Sequence, residues 1–121
     1  MLLNADDAPR HETPNAVMRT LAAPSLGALE LSVWEVAMSQ GQRGPDHAVD
    51  REQVWVVLEG ELRMDIDQEE FVAQAGDTVR LPPQAPRRIA AVTDVRALVA
   101  SPAAPTVTTP DRGTRPLPWA A

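Results

Sequence analysis

GQRGPDHAVDREQVWVVLEG (residues 41–60) and GDTVRLPPQAPRRIAA (residues 76–91) are the two stretches that decide the fold. Gly41, Gly60 and Gly76 punctuate them at strand ends, where tight turns need positive φ or leave no room for a side chain. Residues 47, 49, 53, 55 and 57 share parity, so an extended chain puts His47, Val49, Gln53, Trp55 and Val57 on one face. The run Val54–Val57 is apolar at every position, which marks a strand buried on both faces, in the middle of a sandwich or at a dimer contact. Pro82, Pro83 and Pro86 forbid helix and ladder pairing, so the stretch before Arg87 is a rigid loop.

Outward from this centre, short apolar or alternating runs recur between Pro, Gly and acidic turns. Val17 to Leu21 is a first strand, and Ala28 to Met38 follows, alternating around Leu29, Leu31 and Val33. Gln53 to Leu58 comes next, then Leu62, Met64 and Ile66 alternating with Glu61, Arg63, Asp65 and Asp67. Phe71 to Ala73, Thr78 to Leu81, Arg88 to Val92 and Val95 to Ala100 bring the number to about eight or nine, the pattern of a β-sandwich or barrel. No segment has a convincing helical period. At 121 residues the chain is one domain, divided by composition into an N-terminal extension (1–15), a barrel (16–101) and a Pro/Thr-rich C-terminal extension (102–121). These extensions are either mobile or lie extended across the barrel or a partner, and Trp119 is a large apolar residue that prefers a groove to water.

Composition removes whole classes of function. The chain has no Cys, no Lys and no Tyr, which excludes cysteine nucleophiles, lysine Schiff bases and tyrosine acids. Four serines without a nucleophile elbow give Ser-His-Asp catalysis no site. The net charge of −6, with Arg87-Arg88 the only adjacent basic pair, argues against nucleic acid as a partner. No apolar run is long enough to span a membrane, and the acidic start Asn4-Ala5-Asp6-Asp7 is unlike a signal peptide, so the expected location is cytoplasmic. Only two histidines are present, His11 and His47.

The spacing of the two opening stretches resembles the cupin superfamily, whose motifs are written G-x5-H-x-H-x3,4-E-x6-G and G-x5-P-x-G-x2-H-x3-N. Here Gly41-x5-His47-x-Val49-x3-Gln53-x6-Gly60 keeps every interval of the first, and Gly76-x5-Pro82-x-Gln84-x2-Arg87-x3-Ala91 every interval of the second. The resemblance covers Gly41 to Ala91 and implies an all-β double-stranded β-helix, a jelly-roll barrel. It also implies that positions 47, 49, 53 and 87 converge on a metal ion inside the barrel. This sequence departs from that set. Val49 cannot coordinate, and Arg87 sets a permanent cation against a divalent ion. His47 and Gln53 alone could serve a divalent transition metal. Asp50 and Glu52 have the wrong parity to rescue the set, although Asp46 remains. The expectation is therefore a degenerate metal site and no tightly bound cofactor.

His47 reads as a general acid or base, a hydrogen-bonding group, or a relic ligand. Arg87, buried in a barrel, needs a counter-charge: an internal carboxylate (Glu30 or Glu35 by strand position) or an anionic ligand that it clamps. Gln53 reads as a polar cavity residue, and Trp55, Trp34 and Val49 as cavity walls, the indoles also serving as core. Met18, Met38 and Met64 are packing residues. The leading expectation is a homodimeric barrel holding a small anionic or polar-aromatic molecule, with His47 and Arg87 as catalytic residues of a proton-transfer reaction of isomerase, cyclase or decarboxylase type. The alternatives are a non-catalytic binding or sensing module, and a metal enzyme such as a dioxygenase with an unconventional ligand set.

Overall fold

The computed structural model of the chain describes residues 1–121. Its strands, in chain order, are β1 Arg10–Glu12, β2 Val17–Ala22, β3 Leu31–Met38, β4 Ala48–Val49, β5 Gln53–Glu59 and β6 Glu61–Ile66. They continue as β7 Glu69–Gln74, β8 Thr78–Leu81, β9 Arg87–Ala91, β10 Val95–Pro102, β11 Thr106–Thr109 and β12 Gly113–Pro116. The helical elements are single 3-10 turns at Ala5–Asp7, Pro24–Leu26 and Pro118–Ala120. No helix is long and apolar enough to cross a membrane.

All strand pairs are antiparallel. One sheet has the order β1-β2-β3-β10-β5-β8, and two smaller ones have the orders β12-β11-β4 and β7-β6-β9. The smaller sheets join edge to edge. His47 N–H donates to Arg87 O at 3.0 Å and Arg87 N–H returns a bond to His47 O at 2.8 Å, while Gly44 and Gly41 donate to Ile89 O and Ala91 O. The result is a second layer, β12-β11-β4-β9-β6-β7, facing the first. Two sheets closed on one another make the single-domain, all-β jelly-roll barrel that the sequence predicts.

Residue parity sets what each strand buries. On β5, Gln53, Trp55 and Val57 face in, while Val54 and Val56 are half-buried on the outer face. A row of inward residues crosses the large sheet in register: Thr20, Trp34, Val99, Trp55 and Val79. Around it, Val57, Leu62, Met64, Leu81 and Ala97 are fully buried, each large side chain contributing roughly 1.5–3 kcal/mol. On β3 the inward face is Ser32, Trp34, Val36 and Met38, so Leu31 and Val33 lie on the outside and not in the core. Leu29 is 91% exposed and precedes the strand. Local turn chemistry overrides alternation there: the 3-10 turn at Pro24–Leu26 ends on left-handed Gly27, and Ala28 N–H bonds Ala23 O.

Gly60 shows why the glycine spacing is so strict. It sits at φ +83°, and a Cβ there would run into the backbone oxygen of Asp94. The residues that composition set apart also carry structure. β1 pairs with β2, and β11 pairs with β4 and β12. The final 3-10 turn is tied to the large sheet by two hydroxyls, Thr20 Oγ1 donating to Trp119 O and Ser32 Oγ to Ala120 O, both at 2.7 Å.

Candidate functional site

Between the layers lies a cavity of about 730 Å³. Met18, Trp34, Val36, Met38 and Trp55 line it from the large sheet, and Val49, Ile89, Val107 and Leu117 from the opposite side. All three tryptophans of the chain (Trp34, Trp55 and Trp119) and both histidines (His11 and His47) reach its wall. A largely apolar wall with a few convergent polar groups is the usual make-up of a small-molecule site.

His47 is fixed by its neighbours. Its backbone is bridged to Arg87, and its Nδ1 lies 2.9 Å from Pro45 O. A carbonyl accepts only, so Nδ1 carries the proton and Nε2, with no bond inside the chain, presents a lone pair. Burial pulls the imidazole pKa below its ordinary 6.5, helped by the charges of Arg87 and Arg115 and opposed by the Pro45 bond and Asp46. At neutral pH the ring is uncharged and able to act as a base.

Gln53, Trp55 and Arg87 form one buried cluster. Gln53 Oε1 accepts from Trp55 Nε1 and from Arg87 Nη1, each at 3.2 Å. Arg87 also donates from Nε to Ala85 O at 3.0 Å and from Nη2 to Pro82 O at 2.9 Å. The guanidinium is thus held by carbonyls of the proline loop and by one amide. The expected pairing with Glu30 or Glu35 is not there: Glu35 faces outward and pairs with Arg96, and Glu30 is exposed. Nor does Arg87 line the cavity, although it is only 2% exposed. Burial of the cation lowers its pKa to about 10. Its neighbour Arg88 faces out and pairs with Asp46 at 2.6 Å.

The metal ion implied by the motif spacing does not suit these side chains. Val49 offers methyl groups, and both acceptor positions of Gln53 Oε1 are in use. Arg87 points a cation at that same oxygen, which leaves His47 Nε2 as the one free donor of the four positions. Asp46 is engaged with Arg88, and Asp50 Oδ1 accepts from Thr106 N–H at 2.7 Å. No three His, Cys, Asp or Glu side chains come together elsewhere to hold an ion.

The structure brings His47, Val49, Gln53, Trp55 and Trp34 to one cavity. It adds residues that the sequence reading left out. His11 enters from β1 and stands 6.5 Å, ring to ring, from Trp119, and its Nδ1 is buried with no partner. Thr109, Asp111, Arg112 and Arg115 arrive on the β11–β12 hairpin. The signal for that hairpin was present, since Thr106-Val107-Thr108-Thr109 is a β-rich run ending in the turn Pro110-Asp111-Arg112-Gly113.

The chain matches the family model for the cupin domain over residues 34–101. Comparison with curated proteins finds no match. Among solved structures, an RmlC-like cupin from Shewanella frigidimarina NCIMB 400 is similar with a TM-score of 0.74 and 21% identity, over 84% of this chain and 89% of that one. The polyketide cyclase RemF from Streptomyces resistomycificus is similar with a TM-score of 0.74 and 19% identity, over 97% of this chain and 84% of that one. A point variant of the salicylate 1,2-dioxygenase from Pseudoaminobacter salicylatoxidans gives 0.68 and 19%, over 77% of this chain and 28% of that one. At these identities the likeness to solved structures is one of fold.

Proposed function

The chain belongs to the cupin family, and on that premise we propose that its barrel binds a small, flat, anionic or polar-aromatic molecule and moves a proton on it without a tightly bound metal. The observation that carries this reading is the cavity of about 730 Å³ that holds three indoles and an uncharged His47 with Nε2 free. The indole faces supply apolar contact for a flat ring system. His47 Nε2 takes a proton from a carbon acid or hydroxyl of the ligand and returns it to another atom, the Pro45 carbonyl steadying the imidazolium formed between the two transfers. Gln53, its oxygen held by Trp55 and Arg87, has its amide nitrogen left to donate to the ligand. Arg87 serves as a positioning residue in this scheme. Cyclase, isomerase and decarboxylase chemistry all use such a step. The likeness to a polyketide cyclase along 97% of this chain supports the first of these.

The test is calorimetric titration with hydroxynaphthoates, followed by proton NMR in D2O with a β-keto aryl acid. Wild type is expected to bind the first and to speed exchange of the acidic C–H of the second, and His47→Gln to lose the exchange. Binding without exchange in wild type would leave a non-catalytic binding module. Near-stoichiometric metal that is lost on replacing His47 would return the metal-enzyme reading.

A second copy of the chain is proposed to cover the outer face of the large sheet. There Val56 stands beside Leu98 and Val54 beside Ala100, all half-buried, with Leu31 exposed next to them. Such a face suits a dimer contact. Sedimentation should give twice the chain mass for wild type and the single-chain mass for Val56→Glu.

A further inference from the structure

We propose that Arg115 on β12 is the cavity's carboxylate receptor, an assignment that rests on the anionic-ligand reading above and moves its charge from Arg87 to the opposite sheet. The chain has eleven arginines as its only fixed side-chain cations. Arg10, Arg63, Arg88 and Arg96 are paired with carboxylates on the outside. Arg87 is committed to carbonyls behind the wall. Two arginines line the cavity, Arg112 and Arg115. Arg112 is exposed at the hairpin turn and makes no side-chain bond, whereas Arg115 is half-buried and anchored.

The anchoring is what makes Arg115 a receptor. Nη1 donates to Thr109 Oγ1 at 2.9 Å and to Gly113 O at 3.0 Å. Both bonds use one corner of the guanidinium and fix its plane. The Nε–Nη2 edge has no partner in the chain, and that edge presents two parallel N–H groups at the spacing of two carboxylate oxygens. No carboxylate forms an ion pair with Arg115. Of the two acids on the cavity rim, Glu12 is held by Arg10, and Asp111, whose carboxyl is held below the usual range by the Thr109 hydroxyl first and then by the charges of Arg115 and Arg112, forms no ion pair with either arginine.

Register aims the group at the rest of the site. Arg115 pairs with Val107, and Val107 with Val49, two residues from His47. One row across β12, β11 and β4 thus spans roughly 10 Å from the guanidinium strand to the histidine wall. A ligand with its carboxylate on Arg115 lays its ring system between the indoles and brings its reacting atoms toward His47 Nε2.

The experiment compares 2-naphthoate with 2-naphthamide, equal in shape and different in charge, by titration calorimetry at low salt. Wild type should prefer the carboxylate by tenfold or more. Arg115→Gln should bring the two affinities within threefold by weakening the carboxylate far more than the amide, with an unchanged near-UV circular dichroism spectrum showing that the variant is folded. Arg112→Gln should keep the preference, and Arg115→Lys should keep part of it, having the charge without the fork. A preference that survives in Arg115→Gln, or that disappears in Arg112→Gln, overturns the assignment. Equal binding of both probes by wild type also overturns it while leaving a ligand-binding cavity in place. If wild type binds neither probe, the ligand-binding reading itself falls.

Discussion

Replacing Arg87 by Met separates a structural cation from a catalytic one. Methionine keeps much of the aliphatic packing but removes every bond the guanidinium makes. Three bonds from a charged donor, to Ala85 O, Gln53 Oε1 and Pro82 O, are lost; at about 1.5–3 kcal/mol each they total roughly 6 kcal/mol. Against this stands the cost of keeping the cation buried. A pKa drawn from 12.5 to about 10 corresponds to about 3 kcal/mol. The net expectation is a loss of about 3 kcal/mol and, for a domain of this size, a fall in Tm of roughly 10 °C. Urea unfolding followed by tryptophan emission measures the first and a thermal melt the second. Binding of 2-naphthoate at a temperature where the variant is folded should stay within threefold of wild type. A variant as stable as wild type would refute the reasoning, because burial would then outweigh the bonds. Unchanged stability with a tenfold loss of naphthoate would refute it differently, by placing the guanidinium on the ligand.

Burial holds the His47 pKa below 6.5, so between the folded and unfolded values the unfolded chain binds the extra proton. The stability contribution of His47 is therefore complete above about pH 6.5 and is lost as pH falls through the folded value. Urea titrations at pH 7 and pH 5 should show wild type losing more stability than His47→Gln, with the difference at most about 1.4 kcal/mol per pH unit. Gly60→Ala meets both a left-handed backbone and the Asp94 carbonyl, and should cost about 3 kcal/mol by chemical unfolding. Gly76→Ala, with φ +95° but open space around it, should cost about 1 kcal/mol. Restoring the family's donors with Val49→His, Gln53→Glu and Arg87→His together should give near-stoichiometric Zn or Ni by elemental analysis, where wild type retains little.

Much of the site was legible because strand parity is rigid. Parity within each short strand turns His47 and Val49, and likewise Gln53 and Trp55, toward the cavity, but β4 and β5 belong to opposite layers, so the single extended face expected for residues 47–57 is in fact two facing walls. The same rule correctly turned Arg87 inward and Arg88 out. It could not show what Arg87 would meet, because the acceptors are backbone carbonyls of Pro82 and Ala85, placed by a loop with Gln84 at φ +63°. Carbonyls occur at every residue and leave no mark in a sequence. The alternation at Leu31 and Val33 misled for a different reason: part of the outer face of the large sheet is also apolar, so periodicity gave the spacing without the side. Composition obscured the hairpin at residues 106–116, whose Pro and Thr content looks like a tail although its turn chemistry is that of β-structure. His11 was a single residue in a short edge strand, with no pattern of its own.

The cavity wall is drawn from far-separated parts of the polypeptide. Every strand of the six-stranded sheet lies between Arg10 and Pro102, whereas Thr109, Arg115, Leu117 and Trp119 emerge from the ribosome after all of them. During synthesis the sheet can therefore assemble around its core before its occupant has anything to be enclosed by. The contact between His11 and Trp119 closes one of the longest loops the chain contains, and long-range closures of this kind form slowly. A chain ending near residue 105 would have every strand of the large sheet and yet lack Thr109, Arg115, Leu117 and Trp119 of the cavity wall.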